Sequence, residues 1–133
     1  MQDTPPTAEQ LEIFGAIKEL MKPYEKYFSP HHNEEKYYDL WYDNPVTVNG
    51  REYKEFYFAG LIIQKNYVGF YFMPVYTTPD KAKIFKPELL QLLKGKSCFH
   101  IKKNDPQIME QIKDALGNGI EVYKQRFGIK PKT

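Results

Sequence analysis

The chain holds a single cysteine, Cys98, and a single tryptophan, Trp41, in 133 residues. One cysteine excludes a framework of internal disulfides and fits a reducing compartment. No apolar run approaches the roughly 18 residues that a membrane-crossing helix needs. The opening MQDTPPTAEQ lacks the basic start and apolar stretch of a secretory leader. These absences set the expectation of a cytoplasmic protein. Signatures of common chemistries are missing too: GxGxxG, the P-loop, GxSxG and HExxH do not occur.

Aromatic residues are plentiful, at 16% of the chain, with 11 Tyr and 9 Phe. Tyrosine pairs an apolar ring with a polar tip and suits half-wet surfaces, pocket walls and interfaces. The apolar fraction of 41% and charged fraction of 27% are ordinary for a globular protein. The length matches one domain, 1–133, with its core over about 7–127. The net charge of +2 conceals an uneven spread: residues 1–43 hold nine acids against four lysines, and residues 80–103 hold seven lysines against two acids. Such asymmetry favours an anionic partner or head-to-tail association, and equally describes two solvated faces that differ.

Thr7 with Gln10 forms a capping-box pattern, and Leu11, Phe14, Ile17 and Met21 follow at helical spacing until Pro23. This predicts a helix of about fifteen residues. KYYDLWYD satisfies both helical and alternating periodicity; its aromatics favour a strand. Val46 and Val48 running into Asn49-Gly50 predict a tight hairpin. Pro87 opens a leucine-rich helix with Gly95 as its C-terminal stop, SCFHIKK reads as a short strand, and Asp105-Pro106 begins a long amphipathic helix. Gly117 and Gly119 weaken that helix at mid-length, and the closing GIKPKT reads as frayed. The order of elements gives an α+β, two-layer arrangement: an antiparallel sheet of about five strands, an N-terminal helix, a short middle helix and a long C-terminal helix.

The segment EFYFAGLIIQKNYVGFYFMPVY is apolar on both faces of two predicted strands. With the turn near Lys65-Asn66, Ile63 falls opposite Val68, Ile62 opposite Gly69, Gly60 opposite Tyr71 and Ala59 opposite Phe72. Strict alternation puts Tyr57, Ala59, Leu61, Ile63, Val68, Phe70, Phe72 and Tyr76 on one face. It puts Phe56, Phe58, Gly60, Ile62, Tyr67, Gly69, Tyr71 and Met73 on the other. On that second face two glycines leave bare backbone between rings, as expected for a cavity or for the close approach of a helix.

The ligand-binding residues this suggests are Trp41, Tyr42, Phe58, Gly60, Tyr67, Gly69, Tyr71 and His100. They would accept a small apolar or aromatic molecule, or a segment of a partner protein. Cys98 and His100 leave one face of a strand, an arrangement open to an activated thiol but equally to routine packing, and no catalytic residue is assigned. His31 and His32 lie near Glu34, Glu35, Asp39 and Asp43, and imidazole with carboxylate suits Fe²⁺ or Mn²⁺. Asp39 and Asp43 are the metal candidates, against the alternative of a solvated face. The lysines of 80–103, with Tyr76, Phe85 and Phe99 between them, have a phosphate-binding flavour, but the small net charge argues against nucleic acid.

YFAGLIIQKNYVGFYFMPVY, then PELLQLLKGKSCFHIKKND and a closing amphipathic helix, resembles the YdhG-like family of small bacterial domains, whose function is unknown. The likeness covers about residues 37–127, and its most specific parts are Lys65 to Gly69 and Lys94-Gly95-Lys96. It implies a curved antiparallel sheet in a compact α+β domain, and frataxin-like iron binding and delivery as one role. Tyr67 stands where many members carry an imidazole, and no dense acidic helix is present. The leading expectation is a non-enzymatic binding domain, with iron binding and homodimerisation as alternatives.

Overall fold

Thr7 opens the first helix as the sequence pattern requires: its hydroxyl accepts from the Gln10 amide, and the Gln10 side chain accepts from the Thr7 amide. In the computed structural model, which describes residues 5–132, helix α1 runs Ala8–Met21 and a 3-10 turn over Lys22–Lys26 follows at Pro23. Ile13, Phe14, Ile17 and Met21 form its buried stripe.

Strand β1 (Asn33–Glu34) leads into β2 (Tyr37–Tyr42), so KYYDLWYD is a strand. The hairpin β3 (Val46–Val48) and β4 (Arg51–Tyr53) turns through Asn49 and Gly50, both at positive φ, the backbone that Asn-Gly tolerates best. β5 (Phe56–Ile63) and β6 (Val68–Phe72) pair in the expected register, with Ile63 opposite Val68 and Ala59 opposite Phe72. The chain then leaves the sheet. Met73–Thr77 form α2, with Pro74 in its first turn where no amide is needed. A four-residue helix α3 (Pro87–Leu90) precedes β7 (Leu93–Lys94), β8 (Cys98–Ile101) and the long α4 (Pro106–Phe127).

The main sheet has six antiparallel strands in the order β1-β2-β5-β6-β8-β7, with β3 and β4 as a separate pair. The architecture is α+β in two layers, and the sheet does not close on itself.

Several expectations are corrected. Gly95 lies in the turn between β7 and β8, not at a helix end, because α3 stops at Leu90. Tyr76 belongs to α2 and is 60% exposed rather than in the core, and Met73 also leaves the sheet for that helix. α4 runs Pro106–Phe127 without a break at Gly117 or Gly119, as one continuous helix like the one expected. The tail is docked instead of frayed: Gly128 caps α4 in the left-handed conformation, Ile129 is buried, and the Lys132 amide donates to the Lys26 carbonyl.

The core lies between the helices and one face of the sheet, where Tyr38, Leu40, Leu61, Phe70 and Phe99 are fully buried. Phe58 stacks on Phe28 at 4.4 Å between centroids and meets Phe72 and Tyr123 edge-on. Burying each such side chain stabilises the fold by about 1.5–3 kcal/mol, and well-oriented ring pairs add about 1 kcal/mol.

Candidate functional site

A single extra residue decides what the outer face of the sheet displays. Between β2 and β5, Leu40 pairs with Ala59 but Trp41 pairs with Tyr57, so Phe58 has no partner on β2. This β-bulge resets the alternation. Phe56 and Phe58 turn into the core with Ala59, and Tyr57 turns outward with Gly60 and Ile62. The bulge is read from the helical side, where the buried Tyr123 hydroxyl donates to the Tyr57 carbonyl at 2.8 Å.

Of the residues expected to form the ligand face, Trp41, Gly60, Gly69, Tyr71 and His100 share the outer face, with Tyr67 stacked against His100 at 3.7 Å between ring centroids. Phe58 and Tyr42 do not. Phe58 is fully buried on the opposite side, and Tyr42 packs edge-on against Phe28. The parity of β2 sends Tyr38, Leu40 and Tyr42 inward and leaves Tyr37, Asp39 and Trp41 outward.

The glycines are not bare. A Cβ on Gly60 would stand 1.9 Å from the Tyr57 hydroxyl, and one on Gly69 would stand 2.8 Å from the Tyr71 ring. Tyrosines of the same face therefore roof both positions, and neither a helix nor a cavity occupies them. Burial pushes the Tyr57 phenol far up, and burial with Cys98 alongside pushes Tyr71 up to about 12. The outer face is a half-buried aromatic layer: His31 on Trp41, Trp41 edge-on to Tyr57, His32 on Tyr37, and Tyr67 on His100.

Asp39 anchors this layer. It is fully buried, and its carboxylate accepts from the His31 and His32 amides at 2.8 and 2.7 Å, from His32 Nδ1 at 2.8 Å and from the Trp41 indole at 3.1 Å. Burial alone would raise its pKa, but these hydrogen bonds outweigh burial and hold the carboxyl below its usual range. With both oxygens committed to N–H donors, Asp39 is a structural acceptor and a poor fit to a metal. Asp43 lies apart, 2.8 Å from His31 Nε2. Cys98 and His100 do not form a nucleophile and base: burial pushes the thiol pKa up, and the imidazole is stacked on Tyr67.

At the β7–β8 margin the outer face gives way to a cleft of about 360 Å³, lined by Gln91, Leu92, Lys94, His100, Ile101, Lys102, Lys103, Ile108 and one acid, Asp105, whose carboxylate caps α4 by accepting from the Gln107 amide. Leu92, Ile101 and Ile108 make an apolar floor, while the three lysines are exposed at its rim. Burial, then Lys94 and Lys102, lower the His100 pKa, and three lysines face one acid around the cleft. A second hollow of about 210 Å³ shares Ile101 and Lys102 and reaches Lys65 and Tyr67. Of the cleft, sequence reasoning singled out His100 and the cationic bias of 80–103; it missed Leu92, Ile101 and Ile108, which only the fold assembles. Tyr57 and Tyr37 were missed because their outward direction depends on the bulge and on the strand pairing.

No family model, curated protein or solved structure matches the chain. Among the described residues no helix is long and apolar enough to cross a membrane.

Proposed function

We propose that this domain binds a small acidic molecule with an apolar body, held in the cleft between β7–β8 and the first turn of α4. The carrying observation is the apolar floor of Leu92, Ile101 and Ile108 beneath the rim of Lys94, Lys102 and Lys103. Pockets of this size with an apolar lining and a few placed charges suit metabolite-sized ligands. The lysines would take a carboxylate or phosphate as point charges, and the floor would take the body. The Tyr67–His100 stack forms a flat wall where the cleft meets the outer face. The YdhG-like resemblance belongs to the same proposal: its most specific residues, Lys65 to Gly69 and Lys94-Gly95-Lys96, fall at the β5–β6 loop and the β7–β8 turn that flank this corner.

The test uses 2-naphthoate and its uncharged relative 2-naphthalenemethanol, followed by amide chemical shifts. The expected result is saturable binding of naphthoate centred on residues 92–94 and 100–103, weaker binding of the alcohol, and loss of naphthoate binding in Lys94→Ala/Lys102→Ala. Equal binding of acid and alcohol, or shifts centred elsewhere, overturns the proposal.

A further inference from the structure

At the opposite end of the outer face three metal-competent side chains converge. Tyr42 pairs with Phe56 at the last rung of β2 and β5, so Asp43 and Glu55, the next residues outward, leave the sheet side by side. Ser29 bridges Trp41 with two backbone hydrogen bonds of 2.8 and 3.0 Å, which lays the following loop along the same strand end. His31 is then fixed twice: its amide donates to Asp39, and its ring stacks on Trp41 at 4.9 Å with an interplanar angle of 3°. Its Nε2 is hydrogen-bonded to Asp43 Oδ1 (2.8 Å) and stands 3.9 Å from Glu55 Oε2, so an ion would take the place of the shared proton; one ligand atom from each residue lies within 4.8 Å of the others.

We infer that His31, Asp43 and Glu55 form a site for one divalent first-row transition cation. Of the pair suggested by sequence Asp43 is kept and Asp39 drops out, its oxygens held by four N–H donors; Glu55 is added, brought alongside by the pairing of β2 with β5. One imidazole and two carboxylates on one side of an ion match the donor preferences of Mn²⁺, Fe²⁺, Co²⁺ and Zn²⁺. Ligands about 2.1 Å from such an ion sit roughly 3 Å apart when adjacent, so the present spacings close with small rotations of exposed side chains. Charge balance points the same way. Among the described residues neither Asp43 nor Glu55 has a lysine or arginine within 4.0 Å, and both carboxylates look onto the one imidazole. The three side chains are 29%, 45% and 53% exposed, which leaves the site open to an ion arriving from solvent. The remaining coordination positions would go to water.

Trp41 makes the test direct, because the only indole of the protein lies against the His31 ring. Co²⁺ added to the purified full chain should quench Trp41 fluorescence along a saturable curve, and calorimetry with Zn²⁺ should give one ion per chain. Glu55→Gln removes a donor from an exposed position and should weaken both by at least about tenfold, as loss of metal-site partners generally does. Asp43→Asn/Glu55→Gln should abolish saturation while thermal unfolding stays unchanged. Glu34→Gln, an exposed acid on β1, should change nothing. A linear quench without saturation, or one-to-one binding that survives the double substitution, overturns the inference.

Discussion

The hydroxyl of Tyr57 occupies the place where a side chain on Gly60 would begin, 1.9 Å from an ideal Cβ there. Position 60 is thus closed from within, and the two residues form one unit. Gly60→Ala is expected to destabilise the fold by about 1–3 kcal/mol through overpacking. Tyr57→Phe removes the nearest atom and should be nearly silent alone, yet should relieve part of the Gly60→Ala cost. A double-mutant cycle in denaturant measures this, and additive effects would contradict the coupling.

Two glycines of α4 should respond with opposite signs. A Cβ on Gly119 would meet the Phe72 ring at 2.6 Å and Pro74 at 3.1 Å, whereas one on Gly117 would make ordinary contact with the Tyr24 hydroxyl at 3.7 Å. Gly119→Ala should cost about 1–3 kcal/mol. Gly117→Ala should gain up to about 1 kcal/mol from helix propensity. Thermal unfolding of the two variants side by side decides it.

Asp39 should shape the acid limb of stability. Its carboxyl is held low in the folded state, so it contributes stability above its unfolded pKa, and that contribution is lost as pH falls through the folded value. Unfolding free energy should therefore decline below about pH 4. Asp39→Ala should remove that part of the decline and cost about 2–4 kcal/mol at neutral pH, since four donors lose their acceptor.

Ligand affinity should carry the signature of His100. Burial, Lys94 and Lys102 depress its protonation, and an anion in the cleft would counter the lysines and favour it. Naphthoate should bind severalfold more tightly as pH falls from about 7 to about 5, with proton uptake. His100→Asn should flatten the profile, and an equally steep profile in that variant would exclude His100 as the source.

The strand pairing was legible because a four-residue connection and two-residue periodicity leave few registers, and the capping box was legible because Thr7 and Gln10 act locally. The bulge was not. Phe58 is flanked by residues equally suited to either face, so nothing in FYFAG marks where alternation breaks; only the paired strand reveals it. Hence strict alternation puts Phe56, Phe58 and Tyr57 on the wrong sides, while Gly60, Gly69 and Tyr71, beyond the bulge, fall on the face expected of them. α2 escaped notice because five residues complete barely more than one turn, too little for a period to emerge. Glu55 could not be joined to His31 by spacing, since the contact depends on the last rung of β2 and β5.

β1 and β7, which border the main sheet, are two residues long each. So little free backbone at either margin offers scant purchase for an incoming strand, a geometry that guards against runaway polymerisation. A further strand could extend the main sheet by only a couple of rungs on either side before running past its end.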